Sequence, residues 1–159
     1  MKPVINIDEI AEFEEYEKDD FEGKFAILGE KIGAKQLGYN LTIVPPGKKS
    51  CPFHNHRVNE EMFLILEGSG LLRFDKDEYS LKKNDIIACP SGDRSVAHQI
   101  INNSNSDLKY LALSTNIIHE ICEYPDSDKI ISSVGTYKNK ELRHISNASE
   151  SVNYYDGEE

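Results

Sequence analysis

The sequence has few positive charges, few cysteines and no long apolar run. Its 159 residues carry 18 Lys and Arg against 28 Asp and Glu, a formal net charge of −10. Binding to a phosphate backbone needs clustered Lys and Arg, so this balance argues against a nucleic-acid-binding protein and against docking on anionic membranes. The acidic excess lies mostly near the two ends and is expected to serve solubility.

No stretch approaches the roughly 20 apolar residues of a membrane span. The acidic N-terminus lacks the basic start and the apolar segment of a signal peptide. The three cysteines, Cys51, Cys89 and Cys122, are odd in number and form no CxxC pair. Such usage favours free thiols in a reducing compartment over a disulfide framework. We therefore expect a cytoplasmic protein.

The middle of the chain, about residues 37–114, alternates short apolar runs with turn signals. Runs such as LGYNLTIV, EMFLILEG, IIAC and LKYLALS are separated by segments rich in Gly, Pro, Asn and Asp. Apolar runs of about four to eight residues between such turns are typical of strands, and none has the length and period of a helix. The pattern predicts an all-β sandwich or barrel.

The ends of the chain are less regular, and neither an internal repeat nor a low-complexity linker divides them from the middle. We expect one domain with three parts: an N-terminal extension (short helix or strand) at 1–36, a barrel at 37–115 and a partly irregular C-terminal arm at 116–159.

Two local expectations concern these ends. Residues 8–20 fit a short helix with Asp8 as its cap and with Ile10 and Phe13 facing inward. The run IIHEICEY at 117–124 fits a last strand, and the polar sequence after it is expected to form an arm with a loose terminus.

The segment CPFHNHRVNEEMF holds two of the five histidines, His54 and His56, one residue apart. On a helix such residues point to nearly opposite sides, whereas on a strand they share a face. In an all-β chain the pair therefore places two imidazoles side by side, as a chelate requires. A polar turn that carries two histidines is the alternative for the pair taken alone.

Further ligands are available near this pair and far from it. Glu60 and Glu61 follow at the start of the next apolar run, and because both faces of that run are apolar, strand parity does not choose between them. A third imidazole, His98, lies in the apolar run VAHQII.

At this point the chain resembles the cupin family. The first cupin motif is a glycine, an HxH pair, a glutamate and a second glycine, matched here by Gly47, His54, His56, Glu61 and Gly68. The spacing to Gly68 selects Glu61 over Glu60. The second motif is a PxG, a histidine and an asparagine, matched by Pro90, Gly92, His98 and Asn102. The resemblance covers about residues 38–114 and extends to a group of short uncharacterised bacterial cupins.

Three departures from the motifs affect loops and leave the ligands in place. Six residues rather than five separate Gly47 from His54. Asn84 replaces a glycine of the second motif, and Asn tolerates the left-handed conformation. Five residues rather than two separate Gly92 from His98, which predicts a longer loop at the mouth of the barrel.

The resemblance implies a small jelly-roll barrel, a double-stranded β-helix, in which His54, His56, Glu61 and His98 converge on one divalent metal. Three neutral imidazoles and one carboxylate leave such an ion with about one net positive charge. The set suits Fe(II), Mn(II), Ni(II), Co(II) or Zn(II), with positions open for water, O2 or a substrate oxygen. That charge favours a carboxylate, an enediol or a sugar hydroxyl.

Large side chains near the motifs are the candidate pocket residues: Tyr39, Phe53, Phe63, Asn102 and Tyr110. Strand parity would place Cys51 on the face opposite His54, so we do not count it as a ligand. No dedicated general base stands out, and the candidates are Glu60, His119 and Asp93, with a metal-bound hydroxide as the alternative.

Three functions are compatible with such a site. We favour a metal-dependent enzyme, either a dioxygenase or decarboxylase-like oxidase of a small acid or phenol or a metal-assisted isomerase. The alternatives are a non-catalytic module that captures a sugar or small acid, and a storage or scaffold protein with a structural metal. The absence of a DNA-binding segment argues against a transcription regulator. Pairing through exposed β edges predicts a homodimer.

Overall fold

The computed structural model describes residues 2–136 and 138–158. Within these residues the chain forms thirteen strands, a four-residue helix and three short 3₁₀ turns. The strands are β1 Glu14–Lys18, β2 Phe21–Ile27, β3 Leu37–Val44, β4 Asn55–His56, β5 Glu61–Glu67, β6 Ser69–Phe74, β7 Asp77–Lys82, β8 Ile86–Cys89, β9 His98–Ile101, β10 Leu108–Thr115, β11 His119–Tyr124, β12 Lys129–Gly135 and β13 Lys140–Asn147. The helix α1 is Gly29–Ile32, and the 3₁₀ turns are Ile7–Glu9, Arg94–Val96 and Pro125–Ser127. No helix of this described part is long and apolar enough to cross a bilayer.

The strands of the described chain form three antiparallel sheets. A six-stranded sheet has the order β1-β2-β3-β10-β5-β8, a four-stranded sheet the order β13-β12-β11-β4, and a three-stranded sheet the order β7-β6-β9. The all-β class predicted from the alternating apolar runs is confirmed. Neighbours in these sheets are often distant in sequence, as in the pairing of β10 with β3 and β5.

The main apolar core lies between the six-stranded and the three-stranded sheet. It draws buried side chains from β3, β5, β8 and β10 on one side and from β6, β7 and β9 on the other. Burial alternates along β8, where Ile87 and Cys89 are buried while Ile86 and Ala88 are exposed. Each fully buried Leu or Ile of this core stabilises the fold by about 1.5–3 kcal/mol.

A second, smaller apolar cluster joins the N-terminal segment to the other face of the six-stranded sheet. It is centred on Ala26, Leu28 and Leu41, and Ile10 and Phe13 pack against it. These two side chains therefore face inward, as the sequence predicts.

The helix predicted over residues 8–20 does not form. The chain makes a 3₁₀ turn at Ile7–Glu9 that is capped by Asn6, whose Oδ1 accepts a hydrogen bond from the backbone N–H of Asp8 at 3.0 Å. It then enters β1 and turns at Asp19, which has φ 54°, into β2. The ladder to β2 satisfies the backbone groups of this segment, and that pairing overrides the helix propensity of its Glu and Lys residues.

The C-terminal arm holds more regular structure than the sequence predicts. The strand expected within 117–124 is present as β11, but two further strands follow it. Ile131 pairs with Cys122 on one side and with Ile145 on the other, so β12 and β13 extend the sheet that β11 begins. The apolar residues of these two strands are few and are interrupted by Ser and Lys, so the sequence pattern did not indicate strands there.

The long loop between Gly92 and His98 forms the 3₁₀ turn Arg94–Val96 and packs on the C-terminal sheet. The Arg94 guanidinium lies 3.3 Å from Glu123 Oε1 and 3.0 Å from Asp128 Oδ1. The residues added to this loop thus tie the mouth of the barrel to β11.

Motif residues with positive φ differ in how closely they are packed. Gly68 has φ 80°, and a Cβ there would clash with the carbonyl oxygen of Asp107, whereas Gly47 has φ 76° and nothing within 4 Å of such a Cβ. Asn84, which replaces a motif glycine, has φ 74°, as expected for a residue that tolerates this conformation.

We expect Gly68→Ala to lower the free energy of unfolding by at least about 3 kcal/mol, because it adds a backbone clash to left-handed strain. Gly47→Ala is the matched control, and it should cost only about 1 kcal/mol because only the strain applies. Urea denaturation followed by circular dichroism measures both. Equal losses would contradict the packing explanation.

We also expect a homodimer. β13 is the edge of its sheet, and Leu142 and Ile145 on it are 53% and 45% exposed. An open sheet edge favours pairing with another chain. Light scattering on a gel-filtration peak should give about 36 kDa, twice the 18.0 kDa of one chain. A mass of about 18 kDa would exclude the dimer.

Candidate metal centre

The four predicted ligands meet at one carboxylate oxygen. Glu61 Oε2 lies 3.1 Å from the Nε2 atom of His98, 3.3 Å from that of His56 and 3.8 Å from that of His54. We call His54, His56, Glu61 and His98 the centre. The structure therefore brings together all four residues that the two motifs indicated.

The backbone holds these residues from three different sheets. His54 and His98 form a reciprocal bridge, with N···O distances of 3.1 and 2.7 Å between their main chains. His56 lies on β4 and pairs with Cys122 of β11, while Glu61 begins β5 of the six-stranded sheet. The centre thus lies where the three sheets approach one another.

The alternation expected of a strand holds within the HxH pair. Both imidazoles turn toward Glu61, and Asn55 between them turns away. The Asn55 side chain is buried and donates to the carbonyl oxygen of Gly92 and to Glu123 Oε2, each at 3.0 Å. A polar turn with two independent histidines is therefore not the arrangement of this segment.

Two of the three imidazoles have an acceptor at their other ring nitrogen. The Nδ1 atom of His54 lies 2.9 Å from the carbonyl oxygen of Pro52, and that of His98 lies 3.3 Å from the carbonyl oxygen of Val96. A proton on each Nδ1 atom, donated to its carbonyl oxygen, would leave the Nε2 lone pairs of these two rings directed at Glu61. Nε2 is then the atom available to a metal.

His56 differs from the other two histidines because its Nδ1 faces a carboxylate. The Nδ1 atom lies 3.3 Å from Glu120 Oε2, which is an ion-pair contact without hydrogen-bond geometry, and in the described structure this buried nitrogen has no hydrogen-bond partner. Burial alone would raise the pKa of Glu120, but contacts with His56 and Asn59 lower it to about 2. Glu120 is therefore an anion beside the ring.

The electrostatics of the centre favour a positive charge next to Glu61. Burial alone would raise the pKa of Glu61, but His56 and His98 hold it well below its usual range. Burial alone would lower the pKa of His56, but Glu120 and Glu61 raise it to about 10. A buried carboxylate of this kind requires a partner cation, which can be a proton on an imidazole or a metal ion.

The donor set fits a divalent metal ion. Two adjacent ligands about 2.1 Å from an octahedral ion are about 3.0 Å apart, and about 3.4 Å apart for a tetrahedral one. The three Nε2–Oε2 separations run from 3.1 to 3.8 Å and so are close to both values. Three nitrogen lone pairs that face one carboxylate oxygen repel it unless a cation lies between them.

A cavity of about 360 Å³ opens beside the centre. Its wall is largely apolar but includes five residues with hydroxyl or amide groups: Tyr16, Asn40, Thr42, Ser50 and Tyr110. Apolar side chains complete it, from Phe25, Phe63 and Ile100. Among the described residues that line the cavity there is no Lys or Arg. The wall therefore offers hydrogen bonds to a ligand but no ion pair.

Two of the five predicted pocket residues, Phe63 and Tyr110, line this cavity. Tyr39 does not, because it lies on the other face of β3 and packs on the second apolar cluster. Its strand neighbours Asn40 and Thr42 line the cavity instead, as the alternation of a strand requires.

Phe53 and Asn102 also lie away from the cavity. Phe53 is buried under the guanidinium of Arg73, with 3.7 Å between the guanidinium carbon and the ring centroid. Asn102 is fully buried and donates through Nδ2 to the carbonyl oxygens of Val44 and Ser106, each at 2.8 Å. It is a structural residue of the turn after β9.

The structure places none of the three candidate bases in the cavity. Glu60 and His119 are exposed, and the backbone N–H of Glu60 donates to Thr115 Oγ1. Asp93 caps the 3₁₀ turn by accepting hydrogen bonds from the backbone and the hydroxyl of Ser95. Its role is that of a turn former.

Two of the three free thiols lie beside the centre. Cys51 was expected on the face opposite His54, but residues 51–53 are not a strand, so alternation does not apply to them. Its Sγ lies 3.7 Å from His54 Nδ1. The Cys122 thiol also lies within 4.8 Å of imidazole nitrogens of His54 and His56. The expectation of free thiols is confirmed.

Sequence reasoning missed the residues that β11 contributes to the surroundings of the centre. Glu120, Cys122 and Tyr124 share one face of this strand, and the Tyr124 ring is stacked on His54 with centroids 6.0 Å apart. The alternation in HEICEY predicts that these three side chains share a face. It does not predict that β11 pairs with β4.

Comparison with known proteins agrees with this geometry. Residues 40–114 match the family model described as the cupin domain. An uncharacterised protein of Methanocaldococcus jannaschii is 40% identical over 72 residues, 45% of this chain and 54% of that protein. An oxalate-binding protein of Thermotoga maritima is 33% identical over 70 residues, 44% of this chain and 54% of that protein. The match thus spans only about half the length of these curated relatives.

Two solved structures match nearly the whole chain. A candidate sugar phosphate isomerase of Acidithiobacillus ferrooxidans has a TM-score of 0.82 at 24% identity, over 95% of this chain and 96% of that one. A sugar phosphate isomerase from a cupin superfamily, of Silicibacter pomeroyi, has a TM-score of 0.76 at 25% identity, over 97% and 98%. The predicted double-stranded β-helix is confirmed, and the likeness includes both extensions.

We expect His98→Ala and His54→Ala to reduce bound metal from about one equivalent per chain to below about a tenth, because each removes a ligand. Protein purified without chelator or nickel resin is measured by elemental analysis. His119→Ala, which removes an exposed histidine outside the centre, should keep the metal. Unchanged metal in both ligand variants would show that the centre is not the binding site.

Proposed function

Because the chain belongs to the cupin superfamily, we propose that it binds one divalent metal ion at the centre and acts through it on a small oxygen-rich organic molecule. The observation that supports this most is the convergence of three Nε2 atoms on Glu61 Oε2 at 3.1–3.8 Å. Fe(II), Mn(II), Ni(II), Co(II) and Zn(II) all accept this donor set.

A metal bound at the centre would supply Lewis-acid polarisation of a substrate oxygen. The chain's own part is to bind and orient the rest of the molecule. Asn40, Thr42 and Ser50 present polar groups to the cavity, and burial raises the pKa of Tyr110 well above its usual range. Tyr110 therefore stays a neutral hydroxyl that can donate a hydrogen bond to a ligand oxygen.

The wall of the cavity favours a polyhydroxylated substrate. Phe25, Phe63 and Ile100 supply apolar surface, and the hydroxyl and amide groups can bond to sugar or hydroxy-acid oxygens. With no Lys or Arg among its described lining residues, charge on the ligand would be met by the metal. We propose metal-assisted isomerisation of a sugar derivative, a reaction in keeping with the name of the Silicibacter pomeroyi protein. Oxidation or decarboxylation of a small acid at Fe(II) or Mn(II) would use the same coordination positions, those that the four protein ligands leave open on the metal.

One observation favours a second candidate, the non-catalytic capture of a small di-acid. None of Glu60, His119 and Asp93 lines the cavity, and Glu61 is the one carboxylate among the described residues that do. A binding module needs no base, and the Thermotoga maritima relative is named an oxalate-binding protein.

Three features of the protein follow as proposals from the same reasoning. Its partner would be a small molecule rather than a nucleic acid or a membrane. Its three free cysteines suit a cytoplasmic, reducing location. The division into residues 1–36, 37–115 and 116–159 remains our proposal for its organisation.

The two candidate functions are separated by one set of measurements on metal-loaded protein. Proton NMR of an aldose phosphate should show conversion to the ketose if the protein is an isomerase. Calorimetric titration with oxalate should show saturable binding without turnover if it is a binding module. Oxygen uptake by the Fe(II) form with a small acid would indicate an oxidase. Absence of all three signals would contradict the proposed function.

We expect Asn40→Ala to weaken binding of the ligand identified in this way by about tenfold, because it removes one hydrogen bond from the cavity wall. Glu60→Gln changes an exposed residue next to the centre and should leave the dissociation constant within about twofold. Titration calorimetry on both variants makes the comparison. An unaltered affinity in Asn40→Ala would show that the ligand does not occupy this cavity.

A further inference from the structure

We propose that Glu120 is a positioning residue of the metal centre, which holds the His56 ring with Nε2 toward Glu61 and so strengthens metal binding. This inference rests on the proposed metal site. Its geometric basis is a chain of contacts: Glu120 Oε2 lies 3.3 Å from His56 Nδ1, and His56 Nε2 lies 3.3 Å from Glu61 Oε2. A carboxylate behind a ligating imidazole fixes its tautomer and makes it a stronger donor.

The Glu120 carboxylate is itself held in place. Its Oε1 atom accepts from the backbone N–H of Val58 at 3.1 Å and from that of Ile121 at 2.9 Å. Its Oε2 atom accepts from the backbone N–H of Asn59 at 2.9 Å and also from the Asn59 side chain. A carboxylate with this many donors has one orientation, so it can impose that orientation on the ring.

His56 is the imidazole that most needs such a partner. His54 and His98 are held at Nδ1 by the carbonyl oxygens of Pro52 and Val96, only two residues away in the chain. In the described structure, the group that faces His56 Nδ1 is the Glu120 side chain, which comes from another strand. The orientation of this one ligand is therefore set by tertiary structure.

The contact also gives a role to the part of the chain beyond the matched domain. Residues 40–114 match the family model, and Glu120 lies outside them on β11. The pairing of Cys122 with His56 sets the register that brings Glu120 to the ring. The C-terminal sheet would then tune the metal centre as well as cover it.

Glu120 also anchors residues 57–59, so the test has to separate positioning from folding. Glu123 is the matched control, because it lies on the same strand and is buried in its own network with Arg57, Asn55 and Arg94. In the described structure its side-chain oxygens bond to these three residues and not to an imidazole of the centre. Glu120→Gln and Glu123→Gln make the same chemical change at two positions of one strand, the first beside His56 and the second among Arg57, Asn55 and Arg94.

The experiment measures metal affinity of the stripped full-length protein by competition with a chelator, using Co²⁺ as the metal and its visible absorption as the spectroscopic signature. Glu120→Gln should raise the Co²⁺ dissociation constant by about 10- to 100-fold and alter the absorption bands. Glu123→Gln should change the dissociation constant by less than about twofold and keep the bands. Nitrogen NMR of the histidine rings should show the His56 tautomer disturbed only in Glu120→Gln.

The outcomes distinguish this inference from the proposed function. If the unaltered protein binds no Co²⁺, or binds it equally well after His98→Ala, the metal site itself is wrong. If it binds one ion and Glu120→Gln matches its affinity and spectrum, the site stands and the role of Glu120 is overturned. Should Glu120→Gln fail to fold, Glu120→Asp retains the charge but withdraws it from the ring, and unchanged affinity there would equally overturn the inference.

Discussion

One carboxylate oxygen that faces three imidazole nitrogens is the constraint on which the rest of this structure depends. Such a cluster is stable only with a positive charge inside it and with each ring held in one tautomer. The fold provides main-chain carbonyl oxygens at the Nδ1 atoms of His54 and His98, and at that of His56 it provides the Glu120 carboxylate in ion-pair contact. Because the ligands come from strands of three sheets, the centre also requires those sheets to keep their relative positions.

The C-terminal sheet helps to keep the three sheets in their relative positions. β11 pairs with the two-residue strand β4, which is too short to hold His56 by itself. Arg94, in the enlarged loop before β9, reaches across to Glu123 and Asp128 and joins the loop that leads to His98 to the same sheet. The lengthened loop and the apparently irregular arm are thus two parts of one arrangement around the centre.

The cavity has the charged residues of the centre at one side and uncharged side chains around the rest of its wall. The N-terminal hairpin closes part of it with Tyr16 and Phe25, and β3 and β10 supply hydrogen-bonding groups. If a metal occupies the centre, a ligand would find one strong electrostatic contact there and several weaker directional ones at the wall. The names of similar proteins, an oxalate-binding protein and a sugar phosphate isomerase, differ in their ligands, as is common among proteins that share a fold.

The sequence by itself determined the all-β class, the four residues that meet at the centre and the left-handed conformation of Asn84, because strand alternation and motif spacing are local properties. Parity joined His54 to His56, and spacing chose Glu61. The predictions from sequence were wrong about the helix at 8–20 and about the positions of Tyr39 and Cys51. Only the tertiary structure decided these, together with the contact of Glu120 with His56. The reason is physical: which strand pairs with which depends on backbone hydrogen bonds and burial between residues far apart in the chain, and a local pattern carries no record of them.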